Sequence, residues 1–118
     1  MRMICKEKEF RVTIKTADTF VKRFLGLMFR KTIDRDTALL ITPCGSVHTC
    51  FMRFPIDVLY LDKDDRILFR ETVRPWRIGK LMKGVRSVLE LQAGAAAVLS
   101  AGDILESEEE EEGENGVI

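Results

Sequence analysis

Short apolar segments separated by turn-forming residues recur along this chain of 118 residues. The pattern is clearest over residues 56–62 and 67–73, which are rich in β-branched and aromatic side chains and flank an acidic cluster typical of a turn. Further strands are predicted over residues 9–15, 38–42, 47–53 and 85–91. The chain is therefore predicted to be mainly β, as either a β-sandwich or a partly closed barrel of short, mostly antiparallel strands.

One segment is predicted to be helical instead. Apolar residues recur at helical spacing over residues 20–28, and Thr16 or Asp18 can cap the start of this helix. The amphipathic helix is expected to pack across the β structure. Arg23 lies at the edge of its apolar stripe, so the guanidinium can reach the rim of whatever the helix covers. Residues 95–100 fit either a short helix or a strand.

Charge is distributed unevenly, although the net charge is zero. All 19 lysines and arginines lie at or before Arg86, whereas seven of the 19 acidic residues fall in 106–118. Because a run of glutamates repels itself, residues 107–118 are predicted to form an acidic, disordered tail after a single domain spanning 1–106. Such a tail could occupy and screen a basic face of that domain.

The sequence is typical of a cytoplasmic protein. Its first residues become charged at once, and no segment reaches the roughly 18–20 apolar residues of a membrane span, so no membrane contact is expected. The three cysteines, Cys5, Cys44 and Cys50, lack the C-x-x-C spacing of zinc and redox motifs. Free thiols in a reducing compartment are therefore expected.

An anion-binding cleft is the favoured interpretation of the polar residues. Three arginines offer planar donors suited to carboxylate or phosphate, a histidine and a threonine can add hydrogen bonds, and two aspartates can orient the arginines. The alternative is an ordinary network of ion pairs among the same side chains. The predicted ligand-binding residues are Arg23, Arg30, His48, Thr49, Arg53, Asp57 and Asp103.

Copper binding is a second interpretation. Imidazole and sulfur ligands suit copper(I), and in a regular strand His48, Cys50 and Met52 share one face. His48 and Met52 would lie roughly 13 Å apart along that strand, so all three meet one ion only across a bulge. His48 and Cys50 could instead bind with Cys44 or Met28 from elsewhere in the chain. The same residues are also ordinary core side chains. Catalysis by His48 and Cys50 is a weaker hypothesis, and the sequence specifies neither a cofactor nor an oligomeric state.

A basic loop over residues 74–86 suggests a third role. Five cations surround Trp76 there, a combination that can bind single-stranded nucleic acid or an acidic protein, with the acidic tail as a screen. The expectation set against it is that Trp76 packs onto the β structure, as tryptophan side chains mostly do.

Several blocks of the sequence resemble a known family. Residues 23–30 (R-F-L-G-L-M-F-R) and 48–57 (H-T-C-F-M-R-F-P-I-D) resemble the R-x-x-G-L-M-x-R and H-T-x-x-M-R-x-P-I-D blocks of the DUF192 family of small uncharacterised domains. Later blocks follow in the same order at Pro75-Trp76, at residues 88–91 with Ala93-Gly94, and at Gly102-Asp103. The resemblance covers about residues 10–106 and implies a mainly β, sandwich-like fold with no settled activity.

Overall fold

The computed structural model describes residues 1–17, 33–45 and 52–109. Seven strands form one sheet in the order β5-β4-β6-β3-β2-β1-β7, in which only the β2–β3 pair is parallel. The strands are β1 (Arg2–Cys5), β2 (Phe10–Ala17), β3 (Thr37–Ile41), β4 (Ile56–Leu61), β5 (Ile67–Val73), β6 (Ser87–Gln92) and β7 (Glu106–Glu108). A single turn of 3-10 helix, Lys6–Lys8, joins β1 to β2.

One face of the sheet carries the larger core. Strand β2 alternates buried and exposed residues, so Phe10, Val12 and Ile14 face inward while Arg11 and Thr13 face solvent. Side chains from β1 to β6 and from the turns after β6 meet on this face and form the barrel cluster. Its members are Met3, Cys5, Phe10, Val12, Ile14, Ala38, Leu40, Leu59, Leu61, Ile67, Leu89, Leu91, Ala96, Leu99 and Leu105.

The central strands are buried on both faces. Every residue of β4 is buried, which explains its nearly continuous apolar sequence. The side chains of β4 that point away from the barrel cluster join those of β3 and β6 in a second cluster. Its members are Ala17, Ile33, Leu39, Ile41, Met52, Ile56, Val58, Tyr60, Val73 and Val88.

The end of the chain connects the two edges of the sheet. The amide of Gly102 donates to the carbonyl of Ile67, and the amide of Ile67 donates to the carbonyl of Asp103, at the start of the edge strand β5. The same segment then continues into β7, which pairs with β1 at the opposite edge. These contacts curl the sheet into a half-barrel around the barrel cluster.

The prediction of a mainly β, partly closed barrel with mostly antiparallel strands is confirmed. A sandwich is not formed by the described residues, because one curled sheet contributes to both clusters. Residues 95–100, predicted as a short helix or strand, form neither: residues 95–98 are turns and residues 99–100 are irregular. The predicted amphipathic helix falls in 18–32, outside the described residues, and stays a prediction.

Two strands were not predicted. Strand β1 begins in a segment that becomes charged at once, and β7 lies within the glutamate-rich end, where it extends two residues past the predicted domain boundary. Within the described ranges, no helix has the length and apolar character needed to cross a bilayer.

Candidate functional site

The structure describes part of the predicted site. Arg23, Arg30, His48, Thr49 and Cys50 fall in 18–32 or 46–51, outside the described residues, so their roles stay predictions. The remaining members, two aspartates, one arginine and one methionine, are described and lie in different parts of the fold.

Asp57 is a buried hydrogen-bond acceptor at the start of β4, only 1% exposed. Its Oδ1 accepts from the Thr72 hydroxyl at 2.7 Å. Its Oδ2 accepts from the amides of Gly94 and Ala96 at 3.0 and 3.1 Å. Oδ1 thus bonds within the β4–β5 hairpin and Oδ2 holds the turn after β6 against it, and no arginine of the described residues is among these partners.

Asp103 stabilises a different turn. Its carboxylate accepts from the Ser100 amide at 3.0 Å and lies 3.2 Å from the Lys8 ammonium. The Ser100 amide, followed by the Lys8 charge, lowers the pKa of Asp103. Its backbone pairs with Ile67 at the start of β5, whereas Asp57 lies opposite Thr72 near the other end. At about 3.3 Å per residue these positions are roughly 16 Å apart, so the two aspartates are not brought together.

Arg53 and Met52 lie at the edge of the second cluster. Met52 is buried in that cluster, Phe54 packs against it, and Arg53 between them is exposed. Cys44 also packs against the second cluster. The sulfur-containing side chains of Cys44 and Met52, both considered as copper ligands, therefore lie on the same face of the sheet. The described residues contain no group of three or more histidine, cysteine or acidic side chains that could hold a metal ion.

Glu90, a residue not predicted as part of the site, is the most unusual polar group of the described residues. It lies on β6 between Val58 of β4 and Leu39 of β3, and its side chain points to the same face as Val88. It is only 2% exposed, and its Oε1 has no hydrogen-bond partner. A buried polar atom without a partner is rare in native proteins and is often associated with function.

Burial determines the ionisation of Glu90. Desolvation disfavours the carboxylate and raises the pKa of Glu90 to about 8. At neutral pH the group is therefore mostly a neutral carboxylic acid, which can donate one hydrogen bond as well as accept. Carboxyl groups with such raised pKa values cluster at functional sites.

A hydrogen-bonded group of polar residues lies next to Glu90 on the same face. The Tyr60 hydroxyl donates to the Glu71 carboxylate, and the Lys80 amide donates to both, at 3.0 Å to Tyr60 and 2.9 Å to Glu71. Burial, then the bond to Glu71, raises the pKa of Tyr60, and the Glu90 charge adds to the effect. The Lys80 ammonium lies 4.6 Å from the centre of the Phe69 ring. These contacts fix the loop after β5 against the sheet.

A sequence signal for Glu90 did exist. The glutamate interrupts the apolar run V-L-E-L, and a charged residue inside a strand buried on both faces must be paired, neutral or functional. Whether a strand is buried on one face or on both depends on the fold, and the structure buries both faces of β6.

A concavity in the described part of the chain lies away from this face. It has a volume of about 770 Å³ and is lined by Lys8, Phe10, Arg11, Arg35, Val98 and their neighbours. Its cations already have partners, since Lys8 pairs with Asp103 and Arg35 donates to the Gly94 carbonyl. None of the described site residues lines it.

Together, the fold and the site define a small half-barrel protein with a buried glutamate on its central strands, one carboxyl oxygen of which has no hydrogen-bond partner. The chain belongs to the DUF192 family, described as "Uncharacterized ACR", whose model matches residues 3–107. It is 36% identical over 113 residues to a UPF0127 protein of Pyrococcus furiosus, covering 90% of this chain and 96% of that protein. The resemblance noted in the sequence is thereby confirmed.

Two solved structures share the fold. A protein of unknown function from Novosphingobium aromaticivorans superimposes with a TM-score of 0.82 at 19% identity, covering 91% of this chain and 84% of its own, which shows the fold alone. A candidate transcription regulator from Sinorhizobium meliloti superimposes with a TM-score of 0.77 at 27% identity, covering 89% of each chain. Neither description assigns a chemical activity.

Proposed function

We propose that this protein binds a small anionic ligand on the face of the sheet that carries Glu90, with Arg53 supplying positive charge at the margin. The buried carboxyl of Glu90, whose Oε1 has no hydrogen-bond partner, is the observation that carries the proposal. A ligand oxygen placed beside it would give this side chain the hydrogen-bond partner that it lacks.

The protonation state of Glu90 allows an anionic ligand to bind beside it. A carboxyl whose pKa is raised to about 8 is mostly neutral at pH 7, so it can donate a proton to a hydrogen bond without repelling negative charge. Arg53 follows the buried Met52 and is itself exposed, which supports its proposed role as a planar guanidinium donor to a ligand at this face. In this proposal Asp57 and Asp103 stabilise turns and do not contact the ligand.

The sequence-based ligand residues complete the proposal. Arg23, Arg30, His48 and Thr49 are proposed to add charge and hydrogen bonds, on the grounds of their chemistry and their place in the family blocks. Carboxylates and phosphate-like oxyanions are the expected ligand class, because planar guanidinium groups match their geometry.

A thermal-shift screen with sulfate, phosphate and succinate tests the proposal. At least one anion is expected to raise the melting temperature of the wild type, because a ligand that binds only the folded state stabilises it. The shift should be much smaller in Arg53→Gln. In Arg66→Gln, which alters an exposed arginine in the β4–β5 turn, it should be unchanged.

The anion-induced shift of the melting temperature, measured at increasing pH, distinguishes a role of Glu90 in binding from attraction of the anion by the arginines alone. With sulfate, whose charge is constant, the wild-type shift should weaken as the pH passes about 8, because Glu90 becomes an anion. In Glu90→Gln the amide remains neutral, so the shift should persist at about pH 9. Absence of any anion-induced shift, or equal shifts in Arg53→Gln and Arg66→Gln, would contradict the proposal.

A further inference from the structure

The Trp76 loop, defined as residues 74–86, exposes an unusual amount of apolar surface. Trp76 is 56% exposed, and Ile78 and Leu81 are each 77% exposed. The expectation that Trp76 packs onto the sheet is therefore wrong. The large hydrophobic side chains exposed elsewhere in the described residues are only Val98 and Ile104. Three such side chains within six residues mark an interaction surface.

Charge on the loop has a single sign. The loop holds five cations, and the sequence has no acidic residue between Glu71 and Glu90. The cations alternate with the apolar residues, because Arg77 lies between Trp76 and Ile78, and Lys80 precedes Leu81. A partner that meets the apolar side chains must therefore also tolerate a high density of positive charge, which favours a negatively charged surface.

The loop is held in place at its base. The Lys80 amide donates to Tyr60 and Glu71 on the sheet, and Gly79 beside it is buried. Trp76 adopts a left-handed backbone conformation with φ of 62°, which is an outlier for a bulky residue. Such conformations persist only where surrounding contacts enforce them, and they cluster at functional sites. The loop therefore presents its apolar side chains outward from an anchored base.

We infer that the Trp76 loop docks this protein onto an anionic lipid surface, with Trp76, Ile78 and Leu81 entering the interface and the cations contacting lipid headgroups. Tryptophan prefers the boundary between headgroups and acyl chains, and aliphatic side chains gain free energy by leaving water there. Each lysine or arginine near an anionic bilayer adds attraction. This contact is peripheral, reverses the expectation of no membrane contact, and is independent of the anion proposal.

The aliphatic side chains favour lipid over nucleic acid. Single-stranded nucleic acid is bound by stacking bases on aromatic rings, and this loop offers only one aromatic residue. Ile78 and Leu81, the most exposed of the three, have no flat face on which a base can stack. A bilayer interface accommodates all three side chains as well as the cations.

The single tryptophan of the chain provides a direct readout. Full-length protein is mixed with vesicles of phosphatidylcholine alone or with about 30% phosphatidylglycerol, and partition is measured by flotation and tryptophan emission. Binding to the anionic vesicles is expected, with a blue shift of Trp76 and quenching by lipids brominated on the acyl chains. Partition should fall as salt rises from about 0.1 to about 0.5 M, because the headgroup attraction is screened.

A matched pair of double variants tests the apolar contribution. Ile78→Ser with Leu81→Ser keeps every charge and is expected to lower the partition coefficient about tenfold or more. Val98→Ser with Ile104→Ser removes the two other exposed hydrophobic side chains and should leave partition unchanged. Melting temperatures confirm that both proteins fold; if the loop variant does not fold, quenching of wild-type Trp76 by acyl-chain bromine decides alone.

Three results would overturn the inference. The first is no partition of the wild type into anionic vesicles, and the second is equal partition of the two double variants. The third is binding to an oligonucleotide or to polyglutamate, with a change in Trp76 emission, by a protein that ignores vesicles. This last result would assign the loop to that polyanion instead.

Discussion

A buried carboxyl oxygen without a hydrogen-bond partner costs the folded state free energy, and Oε1 of Glu90 is such an atom inside the sheet. The pKa of Glu90 rises from 4.5 to about 8 on folding. Between these values the folded state keeps a proton that the unfolded state has lost, so stability falls as pH rises through that window and levels off above about pH 8. The wild type is therefore most stable, as far as this group is concerned, below about pH 4.5.

Glu90→Gln should remove this pH dependence. The amide never ionises, so the variant is expected to be more stable than the wild type at pH 7 by roughly 3 kcal/mol, from about 2.5 pKa units at 1.36 kcal/mol each. Denaturant unfolding at about pH 5, 7 and 9 measures the change. The exposed Glu7→Gln serves as the control. If the free energy of unfolding of Glu90→Gln changes with pH as steeply as that of the wild type, groups other than Glu90 cause the pH dependence.

A gain of stability on mutation would also bear on function. Natural sequences retain a costly group where activity requires it, and stabilising substitutions at such positions usually reduce function. The glutamate inside V-L-E-L indicates a paired, neutral or functional group only if its strand is buried on both faces, and that burial depends on which strands lie beside β6. Asp57 was predicted as a ligand-binding residue, and in the described residues its carboxylate accepts from two backbone amides and the Thr72 hydroxyl.

At the scale of elements, the turn after β6 depends on contacts with another part of the chain. Residues 93–98 form consecutive turns, and two of their amides donate to Asp57 on β4. The alanines of this segment favour a helix by propensity, but the Asp57 carboxylate stabilises the turn conformation instead. A single-sequence pattern cannot anticipate this, because the acceptor lies 37 residues from Gly94.

Asp57→Asn should weaken this connection. The new amide can keep its oxygen on the two backbone amides while its NH₂ donates to the Thr72 hydroxyl, but these bonds lose the carboxylate charge, so a loss of about 1–2 kcal/mol is expected. Thermal or denaturant unfolding measures it. Asp103→Asn, which changes an aspartate on the more exposed turn nearby, should cost less. Equal losses would show that Asp57 does not have the structural role assigned to it.

The hairpin of β4 and β5 was predicted well because its signals are local. Asp62 accepts from the amides of Asp64 and Arg66, which closes the turn between two strands of strong β propensity. Strand β1 was missed because its pairing with β2 follows only a three-residue helical turn, a connection that apolar periodicity does not reveal. Strand β7 was missed because its glutamates disfavour strand formation and its partner lies at the other end of the chain.

At the scale of the whole molecule, family membership and fold class followed from the sequence, whereas closure of the half-barrel did not. Pairing between β1 and β7 joins the first and the last strand of the described residues. The Glu108 carboxylate adds ion pairs to this pairing, because it lies 3.2 Å from the Arg2 guanidinium and 4.0 Å from the Arg11 guanidinium. These contacts place the start of the acidic segment on β1 and β2 and not on the Trp76 loop.

Two truncated chains test whether strand β7 closes the half-barrel or the residues after Leu105 act only as a solvated tail. A chain ending at Leu105 loses β7 and leaves one edge of β1 without backbone partners, so its melting temperature should fall by several degrees, at about 4–8 °C for each kcal/mol lost. The open edge should also pair with other copies, giving concentration-dependent association in sedimentation. A chain ending at Glu109 keeps β7 and should match the full-length protein in both measurements. If both truncated chains behave like the full-length protein, β7 does not close the half-barrel; if both lose stability equally, the residues after Glu109 contribute as well.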